Sequence, residues 1–239
     1  MNASPVRVDS RRANLRMCRM RCSKVPGLVL LIGCVFASPL RGQLVERLDY
    51  IDLNPTQPTT DPNVIVVTEF FSYQCPHCFS LEPVLAAWAD GLPDSVLFER
   101  VPISLGYQQW AAIAQAFHAL QVMGKLEALH TDIFRAVHVN GARLNEREAI
   151  VRWLQSQGID AGEFSEVYDS FSVGLSLRRG DQRARSHRVD SVPTLTIDGR
   201  YRVAIGDNGT VEYFEQQLAG VSDLIDAIRV ERALEVTDE

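Results

Sequence analysis

Two cysteines separated by two residues are the part of this sequence best suited to chemistry. Cys75 and Cys78 enclose Pro76 and His77, and they follow an apolar run over residues 64–71 that has the composition of a strand. Apolar residues at helical spacing come next, so the pair is predicted at the N-terminus of a helix. There the two sulfurs can close a small disulfide ring, or one can ionise beside the positive end of the helix dipole. The pattern therefore predicts dithiol redox chemistry.

The elements that must position this pair follow from the apolar pattern. Strands are predicted at 48–53, 64–71 and 95–103 and in a hairpin over 192–205, and a terminal helix is predicted over about 210–229. A strand, a helix and a strand in this order predict a parallel strand pair. The whole order indicates one α/β domain interrupted by a helical one. The predicted segments are a leader at 1–42, the first α/β part at 43–105, a helical insertion at 106–171 and the second α/β part at 172–239.

The N-terminal segment has the pattern of an export signal. A basic region ends at Lys24, and a short apolar stretch follows it. Two kinds of processing of this segment remain open. Signal peptidase could cleave after Ala37, or Cys34 could be lipidated in a lipoprotein-like box. Both predict a body exported to the periplasm. The start of translation is also left open, among Met1, Met17 and Met20.

Export leaves few cysteines in the mature body. The chain has five, and only Cys75 and Cys78 lie beyond the leader. Exported proteins normally use cysteines as structural cross-links, but a bridge that closes so small a loop adds little chain-entropy stabilisation. A zinc site needs four ligands, and no second Cys-x-x-Cys or His-x-x-x-His is present. The pair is therefore interpreted as a redox-active disulfide, and no metal is predicted.

The charge of the chain is unevenly distributed. The first 43 residues carry eight Lys or Arg and one Asp, which gives this segment a net charge of +7. The whole chain has a net charge of −6, so the remaining body has a net charge of −13. Binding to phosphates needs a basic surface. The acidic body therefore argues against nucleic acid as a partner.

The motifs around the cysteines resemble a known family. Phe-Phe-Ser-x-x-Cys75-Pro-His-Cys78, a helical insertion, and Val192-Pro193-Thr194 before a hairpin resemble the DsbA family of periplasmic thiol-disulfide oxidases in the thioredoxin superfamily. The resemblance covers about residues 48–229. It implies a thioredoxin-like fold with an inserted helical domain and no organic cofactor. It also implies a monomer that oxidises reduced, unfolded exported proteins and is reoxidised by a DsbB-like inner-membrane quinone reductase.

The resemblance also implies roles for individual residues. Pro193 is expected to follow a cis peptide bond and to pack beside the sulfurs, which would leave the Val192 backbone free to pair with an extended substrate. The alternative for Pro193 is an ordinary proline at a strand start. A substrate groove is expected beside the redox pair, with contacts from Phe71, Pro76, Val192, Pro193 and Thr194.

The cysteines and the histidine between them have separate predicted roles. Cys75 is expected to be the exposed sulfur that a substrate attacks, and Cys78 the buried one. His77 is expected to donate to the Cys75 sulfur, against the alternative of an exposed histidine without a role.

Two acidic residues have open interpretations. Glu69 interrupts an apolar strand, so it is either an outward-facing residue or a buried carboxylate that handles the proton of Cys78. Glu82 follows Cys78 by one helical turn, and a solvated helix face is as good an interpretation as a position near the pair. The resemblance places both at acidic positions near the redox site.

Two other functions remain open for the same residues. A reductase or isomerase could use the same fold, and a copper-binding module could hold the metal with Cys75, Cys78 and His77. The remaining histidines have no ligand spacing and are expected at the surface or the edge of the core. The arginines from Arg178 to Arg188 could contact acidic partners, but a solvated helix face is the usual explanation of such a cluster.

Overall fold

The computed structural model describes residues 48–61 and 63–237. The predicted leader, with Cys34 and the alternative starts, lies outside these residues. The described elements, in chain order, are β1 (Ile51–Asp52), β2 (Ile65–Phe71), α1 (Pro76–Asp90), β3 (Val96–Pro102), α2 (Gln108–Val122), α3 (Leu126–His138), α4 (Arg147–Ser156), α5 (Ala161–Tyr168), α6 (Phe171–Ser186), β4 (Thr194–Ile197), β5 (Tyr201–Ala204) and α7 (Val211–Thr237).

Strand β2 lies inside a five-stranded mixed sheet. Its residues are β-branched or aromatic apart from Glu69, and all seven are buried. The strand order is β1-β5-β4-β2-β3, in which β2 pairs with β3 in parallel and with β4 in antiparallel. The predicted parallel pair and the predicted hairpin of β4 and β5 are thus confirmed. The strand predicted at 48–53 is reduced to the two residues of β1, at the edge of the sheet.

Helices cover both faces of the sheet. Helices α1 and α7 pack on the face that carries Ile65 and Val67, whereas α6 packs near Phe70 on the opposite face. Successive side chains of a strand alternate between faces, so Glu69 shares the face of Val67 and points towards α1. Burial of Glu69 therefore follows from the register of β2.

Helices α2 to α5 form a second core next to the end of β2. Phe71, Tyr73 and both cysteines belong to the same buried cluster as apolar residues of these helices, such as Phe117 and Phe134. The redox pair therefore lies where the helical part of the chain meets the sheet. Among the described residues, no helix is long and apolar enough to cross a membrane.

The terminal helix is longer than the sequence pattern indicates. It continues past residue 229 to Thr237, where the apolar stripe has ended. Two ion pairs hold this extension to the β4–β5 turn, Arg232 with Asp198 at 2.7 Å and Arg200 with Glu231 at 2.7 Å. The extension depends on charged contacts, which an apolar periodicity does not reveal.

The β4–β5 turn also binds the segment that follows β1. The amide of Gln57 donates to the carbonyl of Gly199 at 2.8 Å, and Gly199 has a positive φ of 61°. A Cβ atom at Gly199 would collide with the backbone carbonyl of Gln57. Gly124, between α2 and α3, has a similar φ of 65° but has no heavy atom within 4 Å of its Cβ position.

We expect Gly199→Ala to destabilise the protein more than Gly124→Ala. Both substitutions place a side chain in the left-handed region, at a cost of about 1–2 kcal/mol. Gly199→Ala also forces two backbone segments apart, and overpacking of this kind adds about 1–3 kcal/mol. Urea denaturation of the two variants measures the difference. Equal free energies of unfolding would show that the contact with Gln57 is not rigid.

Candidate active site

Cys75 stands at the junction of β2 and α1. It is the N-cap residue of α1, with Pro76 at the first helical position and Cys78 at the third. Proline suits the first position because its fixed φ is helical and no hydrogen bond is lost there. The amide of Cys75 donates to the carbonyl of Ser72 at 3.0 Å, which tightens the turn out of the strand. Both cysteines are free thiols in this structure.

The two cysteines differ less in exposure than expected. Cys78 is 0% exposed and Cys75 is 5% exposed, so the predicted order holds but Cys75 is not an exposed residue. Residues of the helical part and the loop before β4 cover it, because Cys75 belongs to the same buried cluster as Val192 and the aromatic residues of α2 and α3. A reacting partner therefore meets a sulfur that is largely covered.

The environment of Cys75 favours its thiolate. The pKa of Cys75 is lowered to about 6, chiefly because the Cys78 thiol donates a hydrogen bond to its sulfur. Burial opposes this shift, while the backbone N–H groups of Cys78 and His77 and the charge of His77 add to it. Unpaired N–H groups of the first helical turn stabilise negative charge in this way. The sequence predicts the contributions of the helix and of His77, but it does not indicate that Cys78 makes the largest one.

The environment of Cys78 favours its protonated form. Burial raises the pKa of Cys78 well above its ordinary value, and the charges of Cys75 and Glu69 raise it further. Glu69 is itself buried, and burial raises its pKa to about 8. Of the two interpretations of Glu69, the structure agrees with the buried carboxylate near Cys78.

A buried charged cluster extends from Glu69 into the helical part of the chain. Arg100 on β3 lies opposite Glu69, with its Nε atom 3.2 Å from Glu69 Oε2 and its Nη2 atom 3.0 Å from Glu82 Oε1. His130 Nε2 lies 3.4 Å from the same oxygen of Glu82, and His130 Nδ1 is 2.6 Å from the hydroxyl of Tyr73. Glu82 is therefore a buried, paired carboxylate, and the solvated helix face is wrong.

His77 does not make the contact expected of it. Its Nδ1 atom lies 2.9 Å from Asp207 Oδ2, in the loop between β5 and α7, and its side chain is 60% exposed. The expected hydrogen bond from the imidazole to the Cys75 sulfur is therefore corrected, because Asp207 engages the ring. His77 acts on Cys75 through its charge and its backbone N–H.

The loop before β4 lies against the sulfur. The peptide bond between Val192 and Pro193 is cis, as the resemblance implies, and Cys75 Sγ lies 3.4 Å from the carbonyl oxygen of Val192. The hydroxyl of Thr194 donates to the carbonyl of Ser191 at 2.8 Å and closes this loop from inside. Strand β4 begins at Thr194, so the proline does not interrupt the sheet.

Two residues predicted to contact a substrate are fully buried. Phe71 is 0% exposed and packs on the rings of Tyr73, Phe117 and Phe134, so it does not line a groove. Thr194 is also 0% exposed, and its side chain is used within the loop. Phe71 lies inside because residues of the helical part, such as Phe117 and Phe134, cover this end of β2. Pro193 is buried as well, so the predicted groove is left with Pro76 and Val192.

Comparisons with known proteins agree with this geometry. A family model described as the DSBA-like thioredoxin domain matches residues 91–219, more than half of the chain. The thiol:disulfide interchange protein DsbA of Bordetella parapertussis is 36% identical over 167 residues, which are 70% of this chain and 78% of the relative.

The chain belongs to the DsbA family.

Another relative and a solved DsbA structure extend the match. DsbA of Azotobacter vinelandii is 36% identical over 192 residues, 78% of this chain and 89% of the relative. The crystal structure of Pseudomonas aeruginosa DsbA is 31% identical, has a TM-score of 0.72, and aligns over 78% of this chain and 95% of that chain. The predicted thioredoxin-like fold with an inserted helical domain is therefore confirmed.

Four residues of this DsbA-family site were not predicted from the sequence: Tyr73, Arg100, His130 and Asp207. Arg100 shows one signal, since a basic residue interrupts an apolar strand that pairs with the strand of Glu69. His130 and Asp207 are distant from the cysteines in sequence, and no spacing connects them. Within the described residues, no group of three or more His, Cys, Asp or Glu side chains is arranged to hold a metal ion.

We expect the reduced protein to show one thiolate that titrates at about pH 6. Ultraviolet thiolate absorbance of the reduced protein measures it, and Cys75→Ser should remove it. Cys78→Ala should raise the pKa of Cys75, because the thiol that donates to its sulfur is lost. An unchanged midpoint in Cys78→Ala would contradict this assignment of the main cause.

Proposed function

We propose that this thiol:disulfide oxidoreductase acts as an oxidase that introduces disulfide bonds into exported proteins. The proposal depends on one arrangement, in which Cys75 is the N-cap residue of α1 and Cys78 is buried one turn further on. This arrangement lowers the pKa of Cys75 and raises that of Cys78. A dithiol whose reduced form is stabilised gives up its disulfide readily, because reduction creates a favourable thiolate. The same environment makes Cys75 a good leaving group.

The proposed reaction uses both sulfurs in turn. A substrate thiolate attacks Cys75 Sγ, the Cys75–Cys78 bond breaks, and Cys78 leaves with the electron pair. A second substrate thiolate then attacks the substrate sulfur of the mixed disulfide, and Cys75 leaves as a thiolate. Two substrate thiols are oxidised to a disulfide, and the protein disulfide gains the two electrons.

Glu69 is proposed to supply the proton that Cys78 needs. Because the pKa of Glu69 is raised to about 8, the carboxyl group is largely protonated at neutral pH. It lies close enough to Cys78 to raise the pKa of that thiol when ionised. Transfer of the proton to Cys78 avoids two negative charges in a buried site, and Arg100 then balances the carboxylate that remains.

The remaining site residues are proposed to bind the substrate chain. The surface formed by the exposed Pro76 and the half-buried Val192 lies beside Cys75, and we propose that it receives an extended, unfolded peptide. We assign Phe71, Pro193 and Thr194 to the support of this surface, because all three are buried. The domain boundaries given above, with the helical insertion at 106–171, belong to the same proposal.

The proposal includes a location and a partner. The basic and apolar N-terminal pattern supports export to the periplasm, with Cys34 as a possible site of lipidation. There a DsbB-like quinone reductase in the inner membrane would take the two electrons from reduced Cys75 and Cys78. The protein would work as a monomer and would use the Cys75–Cys78 disulfide as its redox group.

We expect the reduced protein to become more stable than the oxidised protein as the pH rises. Cys75 has a pKa of about 6 in the folded state, against an ordinary value of 9.0. Between these values the unfolded chain binds more protons, so the free energy of unfolding rises with pH and falls again as the pH drops through 6. Urea denaturation of both forms at several pH values measures the difference. A difference independent of pH would contradict the thiolate assignment.

We expect the oxidised protein to oxidise a reduced peptide with two cysteines. Mass spectrometry of the peptide measures the rate at which its disulfide forms. Cys75→Ser should reduce the rate to that of buffer alone. Cys78→Ser keeps the Cys75 thiolate, which can attack a single-cysteine peptide activated at its thiol and displace the activating group. Neither Cys78 nor a second peptide thiol is then present to release Cys75, so the mixed disulfide should accumulate. Full turnover by Cys75→Ser would overturn the mechanism.

Equilibration with glutathione separates the oxidase from a reductase. An oxidase should be mainly reduced at a glutathione ratio that leaves a thioredoxin-like reductase oxidised. Titration of the reduced protein with Cu(I) tests the alternative of a copper-binding module. Tight stoichiometric binding without peptide oxidation would replace the proposed function.

A further inference from the structure

Asp207 is the charged residue that engages His77. It lies in the loop between β5 and α7, and its Oδ2 atom is 2.9 Å from His77 Nδ1. Its Oδ1 atom accepts a hydrogen bond from the amide of Gly209 at 2.7 Å, so both carboxylate oxygens are used. The side chain of Asp207 is only 12% exposed, whereas that of His77 is 60% exposed. The fixed partner is thus the carboxylate, and it determines where the imidazole lies.

We propose that Asp207 is a positioning residue of the dithiol site, which keeps His77 charged and in place beside Cys75. The inference rests on the proposed function, because it concerns the residue that makes Cys75 reactive. It adds to that function a residue that lies 130 positions after His77 in the sequence. The loop between β5 and α7 would then contribute to the redox chemistry.

The need for such a partner follows from the ordinary behaviour of histidine. A free imidazole has a pKa near 6.5 and is mostly neutral at neutral pH, where it would add little to a thiolate. The hydrogen bond to Asp207 raises the pKa of His77, and the charge of Cys75 raises it further. The titratable groups that face His77 are therefore Asp207 from the loop and Cys75 from its own turn.

The influence then passes from His77 to the sulfur. The charge of His77 lowers the pKa of Cys75, together with the amides of the first helical turn. An exposed ion pair adds little to stability, so the expected role is not structural. The carboxylate controls how much positive charge stands at the N-terminus of α1 near neutral pH.

The test uses Asp207→Asn, which keeps the shape of the side chain. An asparagine oxygen can still accept from the amide of Gly209, while its amide group can donate only to a neutral His77 nitrogen. We expect the pKa of His77 to fall to its ordinary value or below, and the pKa of Cys75 to rise. NMR titration of His77 and thiolate absorbance of Cys75 measure the two shifts. Near pH 6.5 the thiolate fraction should fall by up to about twofold, because an imidazole with its ordinary pKa is still half charged there.

Two further variants separate this role from a general effect of charge. In a His77→Gln background, Asp207→Asn should cause no further rise in the pKa of Cys75. Asp190→Asn removes an equal charge from the loop before Val192, where the side chain is 75% exposed, and should leave the pKa of Cys75 unchanged.

Several outcomes would overturn the proposal. One is an unchanged pKa of His77 in Asp207→Asn, and another is an unchanged or lowered pKa of Cys75. A third is an equal rise of the Cys75 pKa in the presence and absence of His77. Peptide oxidation by the unmodified protein is assayed separately, so an inactive protein would refute the oxidase function while both pKa measurements still decide the role of Asp207.

Discussion

The difference in charge between two sulfurs one helical turn apart is the constraint on which this site depends. Cys75 has the hydrogen bond of Cys78, the amides of the first turn of α1 and the charge of His77, all of which favour an anion. Cys78 is fully buried close to the carboxyl group of Glu69, so its neutral thiol is favoured. The order of β2, Cys75 and α1 produces this asymmetry. Cys75 lies at the N-terminus of the helix, whereas Cys78 lies one turn further on and is buried.

The helical part of the chain contributes to the charges beneath the redox pair. Arg100 lies between the carboxylates of Glu69 and Glu82, and His130 of α3 approaches Glu82 from the helical side. The hydroxyl of Tyr73 joins His130 to the turn that leads into Cys75. The contact between the sheet and the inserted helices therefore includes polar groups as well as apolar packing, and Glu69, one of these groups, is close enough to Cys78 to raise its pKa.

Local patterns predicted the framework and the reactive residues, but they did not predict the contacts between distant segments. The strand before Cys75, the helix after it and the hairpin after Pro193 each have a local signal of apolar periodicity or turn residues. The hydrogen bond of His77 to Asp207 joins residues 130 positions apart and has no such signal. The burial of Phe71 was also missed, because alternation along a strand does not reveal which neighbour covers a face.

The burial of Cys75 has a consequence for the timing of oxidation under the proposed function. The sulfur lies against the carbonyl of Val192 and shows little surface, so a client cysteine would reach it only on a backbone that is free to enter the site. Cysteines enclosed early in a nascent domain would then be out of range. The competition between collapse of the client and diffusion to Cys75 would thus decide which of its thiols are joined first.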